Sequence, residues 1–309
     1  MSNSWAVHGN YTESGVPLMA NDFHMGADLP GPCTIGELRW GEDDFIYGAQ
    51  MPGLAGVING RTKYFGWSMT IGLADSSDLW EEQLNDDETQ YLVDGEWRNL
   101  TKVTYEYKIQ GKEPVSKDAF YTHRGLLMDV PTLQKYTGNL ELLGKERRYS
   151  LGWTMMKPGE KCFEFLFQAT ECKTVPEAFQ RMDEDSQLVG GYRGVTVNVI
   201  MADNSGNIGY QLLGPVPIRK DKTPFLGLRV LNGRTSEYDW EGDGVQTTPL
   251  SDLPRSLNPS KGFIVTANNK QASGNAKHDY GSGIWPTPRA ERISELIEEK
   301  IKAGQKLTF

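Results

Sequence analysis

The most distinctive chemistry in this sequence lies at its second residue. Ser2 follows Met1 directly, and serine is small enough for removal of the initiator methionine to be expected. Removal leaves a free α-amine on Ser2, and an α-amine with its ordinary pKa of about 7.7–8.0 is partly unprotonated near neutral pH. Such an amine can serve as general base toward the hydroxyl of its own residue, the N-terminal form of nucleophile activation. Many proteins begin Met-Ser, so the pair alone is also compatible with an inert terminus.

Other chemistries are set aside by inspection. The chain holds no G-x-S-x-G elbow, H-E-x-x-H, Walker A loop or G-x-G-x-x-G. His8, His24, His123 and His278 leave a Ser-His-Asp triad open on count, but no serine sits in a recognisable nucleophile context. Asp203-Asn204-Ser205-Gly206-Asn207 imitates the start of a calcium loop. It lacks the acidic alternation and distal Glu of an EF-hand, and it predicts a tight hairpin turn. Cys33, Cys162 and Cys172 form an odd set without C-x-x-C spacing, which predicts buried or incidental thiols rather than a zinc or disulfide scaffold.

The elements that must position Ser2 are read from composition and pattern. Hydrophobic residues at 38% can build a core, and 34 Gly and 16 Pro favour strands and turns over a helical bundle. A net charge of −9 argues against a broad nucleic-acid or anionic-membrane surface. No apolar run approaches the roughly 20 residues of a membrane span, and the start lacks the basic and apolar regions of a signal peptide. A soluble chain is expected, with its compartment undetermined. Strand-like runs cover residues 5–8, 16–22, 44–51, 63–71, 103–109 and 195–201. Asp94-Gly95-Glu96-Trp97 and the run 102–110 read as hairpins within a peripheral excursion over about 88–130. Thr174-Val175-Pro176-Glu177 matches a capping box. A last helix is capped by Thr287, starts at Pro288 and shows Ile293, Leu296, Ile297 and Ile301 as an apolar stripe before Gly304. Strands with a few helices and no internal linker predict one α+β layered domain over residues 1–309.

Several motifs then carry a resemblance. Ser2-Asn3-Ser4-Trp5 precedes Gly15-Val16-Pro17-Leu18-Met19-Ala20-Asn21-Asp22-Phe23-His24. Gly66-Trp67-Ser68-Met69-Thr70-Ile71-Gly72 leads into Ala74-Asp75 and Asp78, and Ala202-Asp203-Asn204-Ser205-Gly206-Asn207-Ile208-Gly209-Tyr210 follows. Ala267-Asn268-Asn269 and Arg289-Ala290-Glu291-Arg292 complete the order. Together these resemble the β subunit of the penicillin acylase family, from Ser2 to about Lys302.

The resemblance implies an N-terminal nucleophile (Ntn) hydrolase with an αββα four-layer sandwich, cleaving a linear amide of a small N-acyl substrate. Ser2 is then the nucleophile. The side-chain amide of Asn268 and the backbone N–H of Ile71 form the oxyanion hole, Arg292 supports the amine and the asparagine, and His24 holds the amine through its backbone. Met25, Ala55, Gly56, Met69 and Val197 match positions lining the acyl pocket. Asp75, Asp78 and Asp279 fall where some members hold a structural calcium, against the plainer reading of solvated loop aspartates; the chemistry itself needs no cofactor. Family precursors carry an α segment and a longer β segment that this sequence lacks, so a separate α-like chain or a homo-oligomer is expected as partner. The alternatives are a catalytically inactive family member acting as a binding or assembly subunit, and an unrelated strand-rich binding module. β-Lactam side chains, acyl-homoserine lactones, lipopeptides and N-acyl amino acids all stay open as substrates.

Overall fold

The structure is a computed structural model that describes residues 1–26, 28–54, 56–132, 147–156, 164–186, 194–223, 226–242, 246–271 and 288–308. The chain divides into two compact units. One comprises Met1–Ala74, Pro158–Pro215 and Thr248–Phe309; the other comprises Asp75–Lys157 and Val216–Thr247. The excursion expected over about 88–130 falls inside the second unit.

In chain order the strands begin with β1 (Ser2–Val7), β2 (Leu18–Phe23), β3 (Thr34–Arg39), β4 (Phe45–Gln50), β5 (Asn59–Arg61) and β6 (Phe65–Ile71). The second unit adds β7 (Ser77–Glu82), β8 (Gln90–Val93), β9 (Glu96–Asn99), β10 (Thr101–Tyr107), β11 (Val115–Tyr121), β12 (Leu126–Asp129) and β13 (Arg148–Trp153). The chain then forms α1 (Glu164–Gln168), α2 (Val175–Ser186), β14 (Val197–Asp203) and β15 (Ile208–Leu213). It ends with β16 (Val230–Asn232) in the second unit and β17 (Arg255–Leu257), β18 (Phe263–Thr266) and α3 (Pro288–Lys302) in the first.

The first unit is a sandwich of two antiparallel sheets. One has the order β18-β1-β2 and the other β17-β15-β14-β6-β5-β4-β3. Strand β1 alternates small residues with larger ones, and the period of two sends them to opposite faces. Ser4 Oγ meets Ser68 Oγ of β6 at 2.5 Å, and Thr70 Oγ1 meets Thr266 Oγ1 at 3.0 Å, so small polar side chains bring the sheets together. On the outer face Trp5 and Val7 join Phe263, Val265 and Ala267 against Ala290, Ile293, Ile297 and Ile301 of α3. Helix α2 covers the far side of the larger sheet with Val175, Ala178, Phe179 and Met182, all buried at helical spacing. Gly209 of β15 admits that helix, because a Cβ there would collide with Val175 and Phe179. The layer sequence is α3, three strands, seven strands, α2: the α+β, αββα sandwich expected of an Ntn hydrolase.

Local expectations can be checked residue by residue. Glu177 N–H donates to Thr174 Oγ1 at 3.3 Å, as an N-cap requires. Asp203 Oδ1 accepts the N–H groups of Ser205 and Asn207 at 2.9 and 3.0 Å, so the calcium-loop mimic is a hairpin turn between β14 and β15. Asp94 and Gly95 both adopt positive φ, 53° and 84°, in the two-residue turn of the β8–β9 hairpin. Helix α3 starts at Pro288 as expected, whereas Leu296 is exposed and Ile297 takes the seat. Thr287 lies outside the described residues. Cys33 and Cys172 are free, Cys172 is buried with its thiol pushed up to about 12 by desolvation, and Cys162 is not described.

The second unit holds a six-stranded sheet of order β10-β11-β12-β13-β7-β16 and the β8–β9 hairpin. No described helix is long and apolar enough to cross a membrane.

Candidate active site

Ser2 opens β1 opposite Phe23 of β2, and its side chain is on the face shared with Ser4, toward the larger sheet. Its backbone N–H donates to Asn268 Oδ1 at 2.7 Å, and its Oγ donates to the Met1 carbonyl at 2.6 Å. Met1 is held in turn by the backbone of His24: the His24 N–H donates to Met1 O at 2.7 Å, and the Met1 amine donates to His24 O at 3.3 Å. The imidazole turns away, to Asp22 at 2.6 Å and Asn3 at 3.2 Å. His24 therefore reaches the terminus through its main chain, and the residue it holds there is Met1.

Asn268 follows β18 with φ 63°, the left-handed region that asparagine tolerates better than most residues. This turn aims its buried amide back at Ser2. Oδ1 accepts from Ser2, while Nδ2 donates to the carbonyl of Ile71 at 2.9 Å. Ile71 ends β6. The next residue, Gly72, donates to Thr196 O at 2.7 Å, so by antiparallel alternation the N–H and C=O of Ile71 both point away from β14. Met69, two residues earlier, shows the same direction by donating to Asn59 Oδ1 at 2.7 Å. A Cβ at Gly72 would stand 2.9 Å from Leu212 and 3.0 Å from Thr196, so this close approach requires glycine. Asn21 ties the strands together, its Nδ2 donating to Asn3 O at 2.9 Å and Met69 O at 3.2 Å.

The arginine at this site is not Arg292. Arg292 is 59% exposed and pairs with Glu295 at 2.9 Å on the outer side of α3. Arg289 reaches the site instead. One nitrogen, Nη1, donates to Ser2 O at 2.9 Å and Asn3 Oδ1 at 2.5 Å, and Nη2 donates to Ala267 O at 2.7 Å and Asn268 Oδ1 at 3.1 Å. These four acceptors are neutral oxygens, Nη2 also lies 3.5 Å from the Met1 sulfur, and among the described residues Arg289 meets no carboxylate. The physical reason lies in helix geometry: Arg292 is about 4.5 Å further along the axis, past the end that faces Asn268.

Of the expected pocket residues, Met69 and Val197 share one face of the β6–β14 pair with Ile71, since Val197 lies opposite Ile71 and Val199 opposite Met69. Gly56 packs over Leu166 of α1, and Met25 is exposed just past β2. Ala55 lies outside the described residues.

The aspartates expected to hold calcium have another partner. Asp78 Oδ2 accepts from Arg219 Nε at 2.7 Å and Trp240 Nε1 at 2.5 Å, and Asp75 Oδ1 pairs with Arg219 Nη2 at 3.0 Å. Burial pushes the Asp78 carboxyl above its ordinary range in spite of the neighbouring guanidinium. Asp78 Oδ1 is left without a donor among the described residues, and one such oxygen does not make a cation site. Asp279 is not described, and no three His, Cys, Asp or Glu side chains converge among the described residues. The carboxylates that are described are matched to a guanidinium rather than to a divalent ion.

Comparisons with known proteins bear on the family and the fold. Residues 1–309 match the penicillin amidase family. The chain is similar to the acyl-homoserine lactone acylase QuiP of Pseudomonas aeruginosa, 30% identical over 302 residues, covering 96% of this chain and 33% of that protein. It is 23% identical over 307 residues to the penicillin G acylase of Escherichia coli, covering 97% of this chain and 32% of that protein. Among solved structures, the thermostable penicillin G acylase of Alcaligenes faecalis superposes with a TM-score of 0.75 at 18% identity, covering 96% of this chain and 49% of that one. The chain thus spans about a third of the length of the curated relatives it matches.

Proposed function

The chain belongs to the penicillin amidase family, and from that premise we propose that it hydrolyses the linear amide of a small N-acyl substrate by acyl transfer to Ser2. The reading rests on one observation above the others: the nitrogen of Ser2 is held 2.7 Å from Asn268 Oδ1, and the same asparagine spans to Ile71. Loss of Met1 turns that nitrogen into an α-amine and removes the carbonyl that now holds Ser2 Oγ.

Ser2 Oγ attacks the substrate carbonyl and its proton passes to the α-amine, directly or through one water. The amide nitrogen of Asn268 carries two N–H bonds, of which Ile71 O takes one. The other, with the Ile71 N–H, meets the oxyanion; each such donor supplies about 2.7–4 kcal/mol. Collapse of the tetrahedral intermediate expels the amine, which takes the proton back from the Ser2 ammonium. Water then releases the acid from the ester by the same sequence. Arg289 polarises the Asn268 amide through Oδ1, and its positive charge favours the unprotonated amine. The apolar side chains of Met69 and Val197 suit an aliphatic or aromatic acyl group. The acyl-homoserine lactone and penicillin G acylases among the relatives support amide hydrolysis as the reaction class.

The test is hydrolysis of a panel of N-acyl amides by Met1-free protein and by Ser2→Ala. The expected loss in the variant is at least about 10⁴-fold, the scale of removing a nucleophile, with an unchanged melting curve. Equal cleavage by both proteins would defeat the reading.

A further inference from the structure

Strand β10 ends the six-stranded sheet, and among the described residues no strand pairs with its outer edge. Half of its backbone N–H and C=O groups therefore face outward, a template for one more strand. Its side chains are open as well, with Tyr105 43% and Tyr107 52% exposed.

The sequence along this edge is complementary to itself. Thr104 is the centre of Thr101–Tyr107. Val103 and Tyr105 stand one step out, Lys102 and Glu106 two steps out, Thr101 and Tyr107 three steps out. Antiparallel pairing of two copies about a two-fold axis at Thr104 sets Lys102 against Glu106 twice and Val103 against Tyr105 twice. Opposite charges and aromatic–β-branched pairs are the favourable cross-strand neighbours. In-register parallel pairing would set Lys102 against Lys102, and an antiparallel slip of two residues in either direction would leave the lysine–glutamate pairs unmade.

Local contacts sharpen the match. Within one copy Lys102 is held by Asp118 at 2.8 Å, and Thr104 Oγ1 donates to the same carboxylate at 2.7 Å. The lysine is thereby fixed on the Lys102–Thr104–Glu106 face. Glu106, on that face, has no cationic partner among the described residues, and a second copy brings Lys102 to it. A lone lysine on an edge strand guards against pairing; with glutamate at the symmetry-related position it rejects other strands and accepts its own.

We propose that β10 is a self-association edge, across which two copies of this chain join antiparallel about Thr104 so that two six-stranded sheets become one. A single pair of strands buries less than a standard interface, so the dimer is weak and concentration-dependent.

Sedimentation velocity on the full chain tests this, with Lys102→Glu and Glu106→Lys made separately and each checked for an unchanged melting curve. The wild type should dimerise as its concentration rises to about 100 µM, the range a small interface demands. Each reversal sets two like-charged pairs across the axis and should weaken the dimer at least tenfold. An equimolar mixture of the two variants should restore it, because every charge pair in the mixed dimer is again opposite. Glu106→Gln, which cannot disturb the hairpin by repulsion, should fall between wild type and the reversals. A wild type that stays monomeric through that range overturns the proposal. So does a dimer indifferent to both reversals, or a mixture of folded variants that stays monomeric.

Discussion

Arg289 in the first unit and Arg124 in the second are each drawn in by several polar contacts, yet their acceptors differ in kind. Arg124 is almost fully buried. Its Nη1 lies 3.0 Å from both oxygens of Glu82, its Nε 2.6 Å from Asp239 Oδ1, and its Nη2 3.0 Å from Thr235 O. Asp239 is shared with His123 Nε2 at 2.9 Å, whose other ring nitrogen meets the Tyr91 hydroxyl at 3.1 Å. Every described contact of Arg289, by contrast, is to a backbone carbonyl, an amide oxygen or the Met1 sulfur. A guanidinium met by two carboxylates is a brace whose charge is spent internally. One met only by neutral acceptors keeps its field, and here that field falls on the nitrogen of Ser2 and the amide of Asn268. The difference separates a charge used to hold a fold from one available to chemistry.

Substitutions separate the roles of the two arginines. Arg124→Met leaves Glu82 and Asp239 buried without their cation, so a stability loss of about 3–5 kcal/mol is expected in denaturant titration. The folded fraction should keep its rate of acylation at Ser2. Asn268→Ala reverses the pattern, with kcat down about 10²–10³-fold on any substrate found and a small change in melting temperature. Arg289→Gln should cost roughly 10–100-fold in kcat/KM, the worth of a charged hydrogen bond. It should also move the acid limb of the pH–rate profile upward, because the amine no longer sits beside a fixed positive charge. Arg292→Ala, three residues on, should change stability by less than about 0.5 kcal/mol and leave the profile in place.

Acid titration probes the brace more finely. Burial pushes the Asp239 carboxyl up, but the hydrogen bond from His123 and the charge of Arg124 outweigh it and hold the group below its ordinary range. A carboxyl lowered in this way contributes stability that is complete above its unfolded pKa of about 3.9 and is lost as pH falls through the folded value. The gap in melting temperature between wild type and Asp239→Asn should therefore be constant above about pH 5 and close below about pH 4.

The candidate site was legible through the motifs that carry the family resemblance: Ser2, Ile71 and Asn268 each sit in one of them, and the structure brings the three together. The choice between Arg289 and Arg292 was not legible, because both open the same helix and only the rotation and rise of that helix separate them. Periodicity marked the stripe on α3 yet included Leu296, which lies one residue and about 100° around from the buried Ile297. Strand β3 escaped notice because its residues lie at an exposed sheet edge and show no apolar alternation. The ion pairs of the second unit were invisible for a different reason. Glu82, Arg124 and Asp239 are brought together by the tertiary fold across 42 and 115 residues, and no spacing rule reaches that far.

Intact mass before and after treatment with a serine-directed sulfonyl fluoride, with peptide mapping of the adduct, tests the central claim most directly. Loss of Met1 and a single adduct on Ser2, absent from Ser2→Ala, are expected. A chain that has lost Met1 and stays unlabelled, or one labelled elsewhere with Ser2 untouched, would contradict it.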